Sequence, residues 1–174
     1  NGLVSRTFRL TPNCATVDFK NLTTGESLIR GVRPEATLTF NEQEYSIGGL
    51  DGQVEYAYLK KEWLDQMWSP ASSFQVATFR VEDIKPRIDW KNKRWALEKK
   101  QPTKGKELVF VYSHKDLVGI KVEVHYEIFD GSPLISKWFT VQNESGKDIK
   151  LNTFVSETLA MIEPESSVER GTTG

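Results

Sequence analysis

The sequence holds a single cysteine, Cys14, and two histidines, His114 and His125, in 174 residues. One thiol can close no internal disulfide and no Cys-x-x-Cys zinc site, so an apolar core must hold the fold in any redox compartment. Cys14 itself reads as a small buried or turn residue. No stretch approaches the ~20 consecutive apolar residues of a membrane-spanning helix, and no membrane partner is expected. An excess of one charge is lacking too. The formal net charge of -1 offers no global attraction to nucleic acid or an anionic surface. Phosphate-loop, Rossmann-glycine, Gly-x-Ser-x-Gly and His-Glu-x-x-His patterns are all missing, so no cofactor or metal is expected and no catalytic residue is assigned.

What the chain does have is strand character. At 38% hydrophobic and 27% charged residues it has an ordinary globular composition, and one domain of this length buries roughly 70% of its unfolded surface. Short runs rich in Val, Ile, Thr, Phe and Tyr alternate with Gly, Pro, Asn and Asp clusters. Ala15, Val17 and Phe19 alternate with Thr16, Asp18 and Lys20, predicting one apolar face. Residues 74–81 are apolar at both parities, as a strand inside a sandwich would be. Ile120, Val122, Val124, Tyr126 and Ile128 alternate without a miss against Lys121, Glu123, His125 and Glu127. Turns at 130–133 and 144–148 lead into further long strands over 134–143 and 150–162. One short helix is expected over 59–67, where Leu59, Trp63 and Met67 stand four apart and Ser69-Pro70 follows. The expected fold is all-β, two antiparallel sheets packed face to face with that helix, over 1–163. The small polar residues of 164–174 are expected to begin a linker, and both chain ends to be processing boundaries.

Charge is informative locally. Residues 85–106 carry nine Lys/Arg against Asp89 and Glu98, a net of +7 that leaves -8 for the rest. Within this segment Asp89, Trp90, Arg94 and Trp95 form a hairpin pattern with its turn at 91–93. An aromatic plane beside hydrogen-bonding groups suits the apolar face of a sugar, which makes these four residues the carbohydrate-contact candidates. The same pattern also suits an inter-domain prop, and two other readings stand beside it: a solvated hairpin whose tryptophans fold onto the sheet, and a nucleic-acid platform, the least favoured of the three. Trp63, Trp68 and Trp138 read as core or helix-packing residues.

Two weaker candidates remain. His125, between Glu123 and Glu127, suits a general base, while the plainer reading is a cross-strand charge ladder. Glu157 stands among apolar residues and is either a perturbed acid or simply a paired carboxylate. His114, in a Ser-His-Lys-Asp turn, is expected to be exposed.

Residues 1–8, the 24–28 turn, Arg33-Pro34-Glu35-Ala36, Gly48-Gly49-Leu50, Glu62-Trp63-Leu64 and 126–134 resemble the N-terminal domain of bacterial α-galactosidase-like proteins, relatives of glycoside hydrolase family 36. The resemblance lies in segment order over nearly the whole chain, and no single motif is diagnostic. It implies a β-supersandwich of the galactose-mutarotase type, preceding a (β/α)₈ barrel that carries the two catalytic aspartates, and a periplasmic or secreted parent protein. On that reading the chain is a non-catalytic accessory domain. Its partner is the downstream catalytic domain of the same polypeptide, and the 89–95 hairpin reaches the sugar pocket. A homo-oligomer stays open. The alternatives are a free-standing carbohydrate-binding module and a mutarotase-like epimerase, the latter requiring His125 or His114 to face a pocket opposite a glutamate.

Overall fold

The computed structural model describes residues 1–54, 57–87 and 104–162, and these are nearly all strand and turn. In chain order the strands are β1 (Val4–Arg9), β2 (Ala15–Asn21), β3 (Ile29–Gly31), β4 (Ala36–Phe40), β5 (Gln43–Ile47), β6 (Gln75–Asp83), β7 (Gly105–Ser113), β8 (Ile120–Phe129), β9 (Ile135–Asn143), β10 (Leu151–Val155) and β11 (Ala160–Met161). The largest sheet is the antiparallel meander β6-β7-β8-β9. Opposite it lie the β10-β4-β5 sheet and the β1-β2 hairpin, with a small β11-β3 ladder beside them.

The perfect alternation of 120–128 does what its period dictates. Val122, Val124 and Tyr126 enter the core, where they meet Phe110 and Tyr112 of β7 and Leu38, Phe40 and Ile47 from the facing sheet. This one cluster runs between the two sheets, so the chain is an all-β sandwich. The β4-β5 turn needs only Asn41 and Glu42, both at positive φ (49° and 70°), the backbone of a tight two-residue hairpin. Gly48 (φ 64°) lies where the chain leaves β5, and a Cβ there would meet the Cys14 carbonyl oxygen at 2.5 Å.

Three expectations are corrected. The helix over 59–67 is a single 3₁₀ turn, Lys61–Trp63. The Leu59 amide is taken by the Arg30 carbonyl and Trp68 is paired with Asp51, so too few residues remain to repay helix nucleation. Met67 is buried, with Leu59 and Leu64 packed against the same small cluster, so the apolar spacing served packing. The run over 150–162 is two strands, β10 on β4 and β11 on β3, interrupted where Glu157 turns inward. The third correction concerns bulges. The β1-β2 register shifts after Thr7, so Val17 is extra and Thr16 and Phe19 both come to the Arg6 side. A shift between Val76 and Thr78 likewise brings Val76 and then Phe79 to the core side, which explains apolar residues at both parities of β6.

Candidate functional site

Two clusters of charged side chains emerge, one on each face of the meander sheet. On the outer face His125 pairs across the strands with Val109 and Trp138. Its Nδ1 lies 2.7 Å from a Glu107 carboxylate oxygen, and its ring stacks on the Trp138 indole at 4.7 Å and 11°. The Arg87 guanidinium covers Trp138 at 3.3 Å from the ring centroid. Arg80 makes a two-pronged contact with Glu123 at 2.9 and 3.0 Å, which leads the causes holding the Glu123 pKa below the carboxylate norm. Glu123 is also 3.5 Å from His125 Nε2, but in a geometry that makes no hydrogen bond, and that nitrogen is buried without a partner among the described residues. Glu127, only 4% exposed, has its pKa pushed up by burial despite Arg87 at 3.5 Å.

This is the charge ladder read from the alternation, extended by an aromatic stack. It leaves little room for proton-transfer chemistry. His125 is 8% exposed, and Trp138 has an imidazole and a guanidinium against it, so its ring is poorly placed to receive a sugar.

The inner cluster is buried and nearly saturated. Arg6 on β1 donates from Nε to Thr16 (2.8 Å), from Nη1 to Glu157 (2.7 Å) and from Nη2 to Glu35 (3.1 Å). Lys137 on β9 donates to Glu157 (2.9 Å) and to the Glu35 carbonyl oxygen. Glu35 accepts from the Thr16 amide at 2.6 Å, from the Thr16 hydroxyl at 3.1 Å and from the Tyr126 hydroxyl. Side-chain exposure is 5% for Arg6, 1% for Glu35 and 8% for Lys137, against 30% for Glu157, the one member that reaches solvent.

Two cations and two anions thus cancel in a low-dielectric space. Burial opposes the Arg6 charge, but Tyr126 and the carboxylates of Glu157 and Glu35 hold its pKa above the arginine norm. For Lys137 burial wins and lowers the pKa, against Glu35 and Glu157. Burial pushes Glu157 up, yet Arg6 and Lys137 outweigh it and hold that carboxyl below its usual range. An apolar cleft of about 120 Å³, walled by Arg6, Phe8, Leu108, Tyr126 and Ile135, adjoins this cluster. Its polar lining groups are already engaged, Arg6 with Thr16, Glu35 and Glu157, Tyr126 with Glu35, Lys106 with Asp83 and Glu127 with Arg87, which suits a structural knot better than a reacting centre.

The leading candidates Asp89, Trp90, Arg94 and Trp95 lie outside the described residues. Glu157 is the paired carboxylate of the plainer reading. Arg6, Glu35 and Lys137 escaped sequence reasoning. The available signal was parity: Lys137 stands at the inward positions of β9 with Ile135, Phe139 and Val141, and Arg6 at that of Phe8. His114, expected to be exposed, is buried and packs at 5.1 Å from both Tyr45 and Phe74 because its turn folds back over the core. Trp68, expected in the core, is 57% exposed, its ring laid against Gly52. Among the described residues no group of three or more His, Cys, Asp or Glu side chains could hold a metal ion. Comparison with protein-family models, curated proteins and solved structures found no match for this chain.

Proposed function

We propose that this chain is a non-catalytic sandwich domain that packs on a neighbouring domain of the same polypeptide, as the N-terminal accessory domain of an α-galactosidase-like glycoside hydrolase. One observation carries the docking role. Leu151, Phe154 and Val155 on β10, an edge strand of its sheet, stay 40, 58 and 48% exposed. Leu151 and Phe154 lie on the side of Phe40 and Leu38 and Val155 on the other, and apolar side chains on both sides of an edge strand are costly to leave in water and invite a surface that covers the edge. Covering them is worth about 1 kcal/mol each, half of the ~1.5–3 kcal/mol for complete burial of such a side chain. The charged clusters favour a non-catalytic role, since their groups are spent on pairing.

The test is to mix the 174-residue chain with the polypeptide that follows it and measure association by calorimetry. Leu151→Asp and Phe154→Asp should each weaken the complex at least about tenfold, a loss of ~1.4 kcal/mol. No association, or association indifferent to both changes, counts against the proposal. The stand-alone carbohydrate module is favoured by one observation, the exposed Trp68 ring fixed against Gly52.

A further inference from the structure

We propose that the cleft at the 41/117/148 end of the sandwich is a saccharide-binding site, independent of the docking role. Three connections build it: the β4-β5 turn, the β7-β8 loop and the β9-β10 loop. They border a half-open cleft of about 370 Å³, within the ~300–1,000 Å³ typical of small-molecule sites.

The floor is apolar. Leu117 and Ile149 line the cleft and pack against the main core, so their positions are set by the fold. The rim is polar, with Asn41, Asp116, Lys147 and Asp148.

The walls are preformed. Asn41 is bonded to Lys150 through both its backbone amide (2.9 Å) and its side-chain oxygen (3.0 Å), which fastens the turn to the β9-β10 loop. The Glu144 amide donates to the Gly119 carbonyl at 2.7 Å and joins the other two loops. The Asp116 amide is anchored on His114 Nδ1 at 3.2 Å. Ser145 and Asn143 lock the β9-β10 loop through their side chains. A cleft held this way spends little binding energy on ordering itself.

The chemistry of the rim selects the ligand. Neither Lys147 nor Asp148 has a side-chain ion pair among the described residues, and Asp116 has only a 3.9 Å contact to Lys115. Two carboxylates against one ammonium disfavour phosphate and carboxylate ligands. A bare divalent cation is disfavoured as well, since among the described residues no group of acids is close enough to hold one. A neutral polyol fits: carboxylates accept from adjacent hydroxyls, the ammonium and the Asn41 side-chain Nδ2 donate, and the apolar floor receives the C–H face of a sugar ring.

The test is an ¹⁵N-resolved NMR titration of the 174-residue chain with methyl α-D-galactopyranoside, methyl α-D-glucopyranoside and raffinose, each to about 100 mM. The expected result is amide shifts at 41, 116–120 and 145–149 with at least one of them. Asp116→Asn and Asp148→Asn should each weaken binding at least about tenfold, and Lys147→Met is a second probe should either variant fold poorly. Trp68→Ala should leave the shifts at 41, 116–120 and 145–149 unchanged and remove only shifts around residue 68, so this site and the Trp68 platform are separable. No shifts with any of the three sugars, shifts confined to other residues, or binding lost only in Trp68→Ala would overturn the proposal.

Discussion

Replacing Arg6 with methionine tests whether the inner cluster is the structural knot its geometry describes. The change keeps much of the aliphatic volume between Phe8, Phe19 and Tyr126 but removes three hydrogen-bonding partners and one of two buried cations. Glu35, 1% exposed, and Glu157 are then left with Lys137 as their only cation among the described residues. Breaking a buried pair from one side costs about 3–5 kcal/mol, because the cost is an uncompensated charge rather than a lost attraction. For a chain of this size that is a fall in Tm of about 6–20 °C. Glu157→Gln alone should cost less, near 1 kcal/mol, since its side chain is 30% exposed and the amide still accepts from Arg6. The double variant carries one cation and one anion again. It should therefore be more stable than the sum of the single changes predicts, by about 0.5–3 kcal/mol. Urea unfolding of the wild type and three variants measures the cycle. An Arg6→Met cost below about 1 kcal/mol, or strict additivity, would refute the charge-balance reasoning.

Titration and steric contact give three further predictions. Glu157 has a depressed folded-state pKa, so its stabilisation is present above the unfolded value of ~4.3 and lost as pH falls through the folded one; Glu127 is raised by burial and behaves oppositely, weakening the fold as pH rises through its own window. Stability measured from pH 3 to 8 should therefore lose part of its acid-side slope in Glu157→Gln, while Glu127→Gln should be neutral or stabilising near pH 7. Gly52→Ala should displace the Trp68 ring, because the residue has φ 107° and its Cβ would stand 2.6 Å from the indole. A changed tryptophan emission with a lowered Tm is the expected reading, and unchanged emission counts against that packing.

The local features of this protein were legible in its residues. The unbroken alternation of 120–128 specifies β8 and its inward face, because side-chain direction in a strand has period two and needs no knowledge of the partner. The turn at 130–133 and the long strand that follows it were likewise written in local pattern, whereas the β4-β5 turn is shorter than residues 41–44 suggest, because Gln43 and Glu44 already pair with β4. What the pattern could not carry was anything that depends on register. A one-residue bulge at Val17 reverses which side chains of β2 meet Arg6, and another at Ala77 does the same for β6. The helical spacing of 59–67 was real, yet hydrogen bonds to Arg30 and Asp51 claimed its ends. The inner cluster joins residues 6, 35, 137 and 157, and the proposed cleft joins residues 41, 116 and 148. Both exist only because sheet pairing and sheet packing bring distant segments together. The sequence by itself determined that this chain forms strands and where many of them turn. Tertiary structure alone decided which charges would be buried against one another and which loops would share a wall, since those are contacts between segments whose separation along the chain carries no periodic signal.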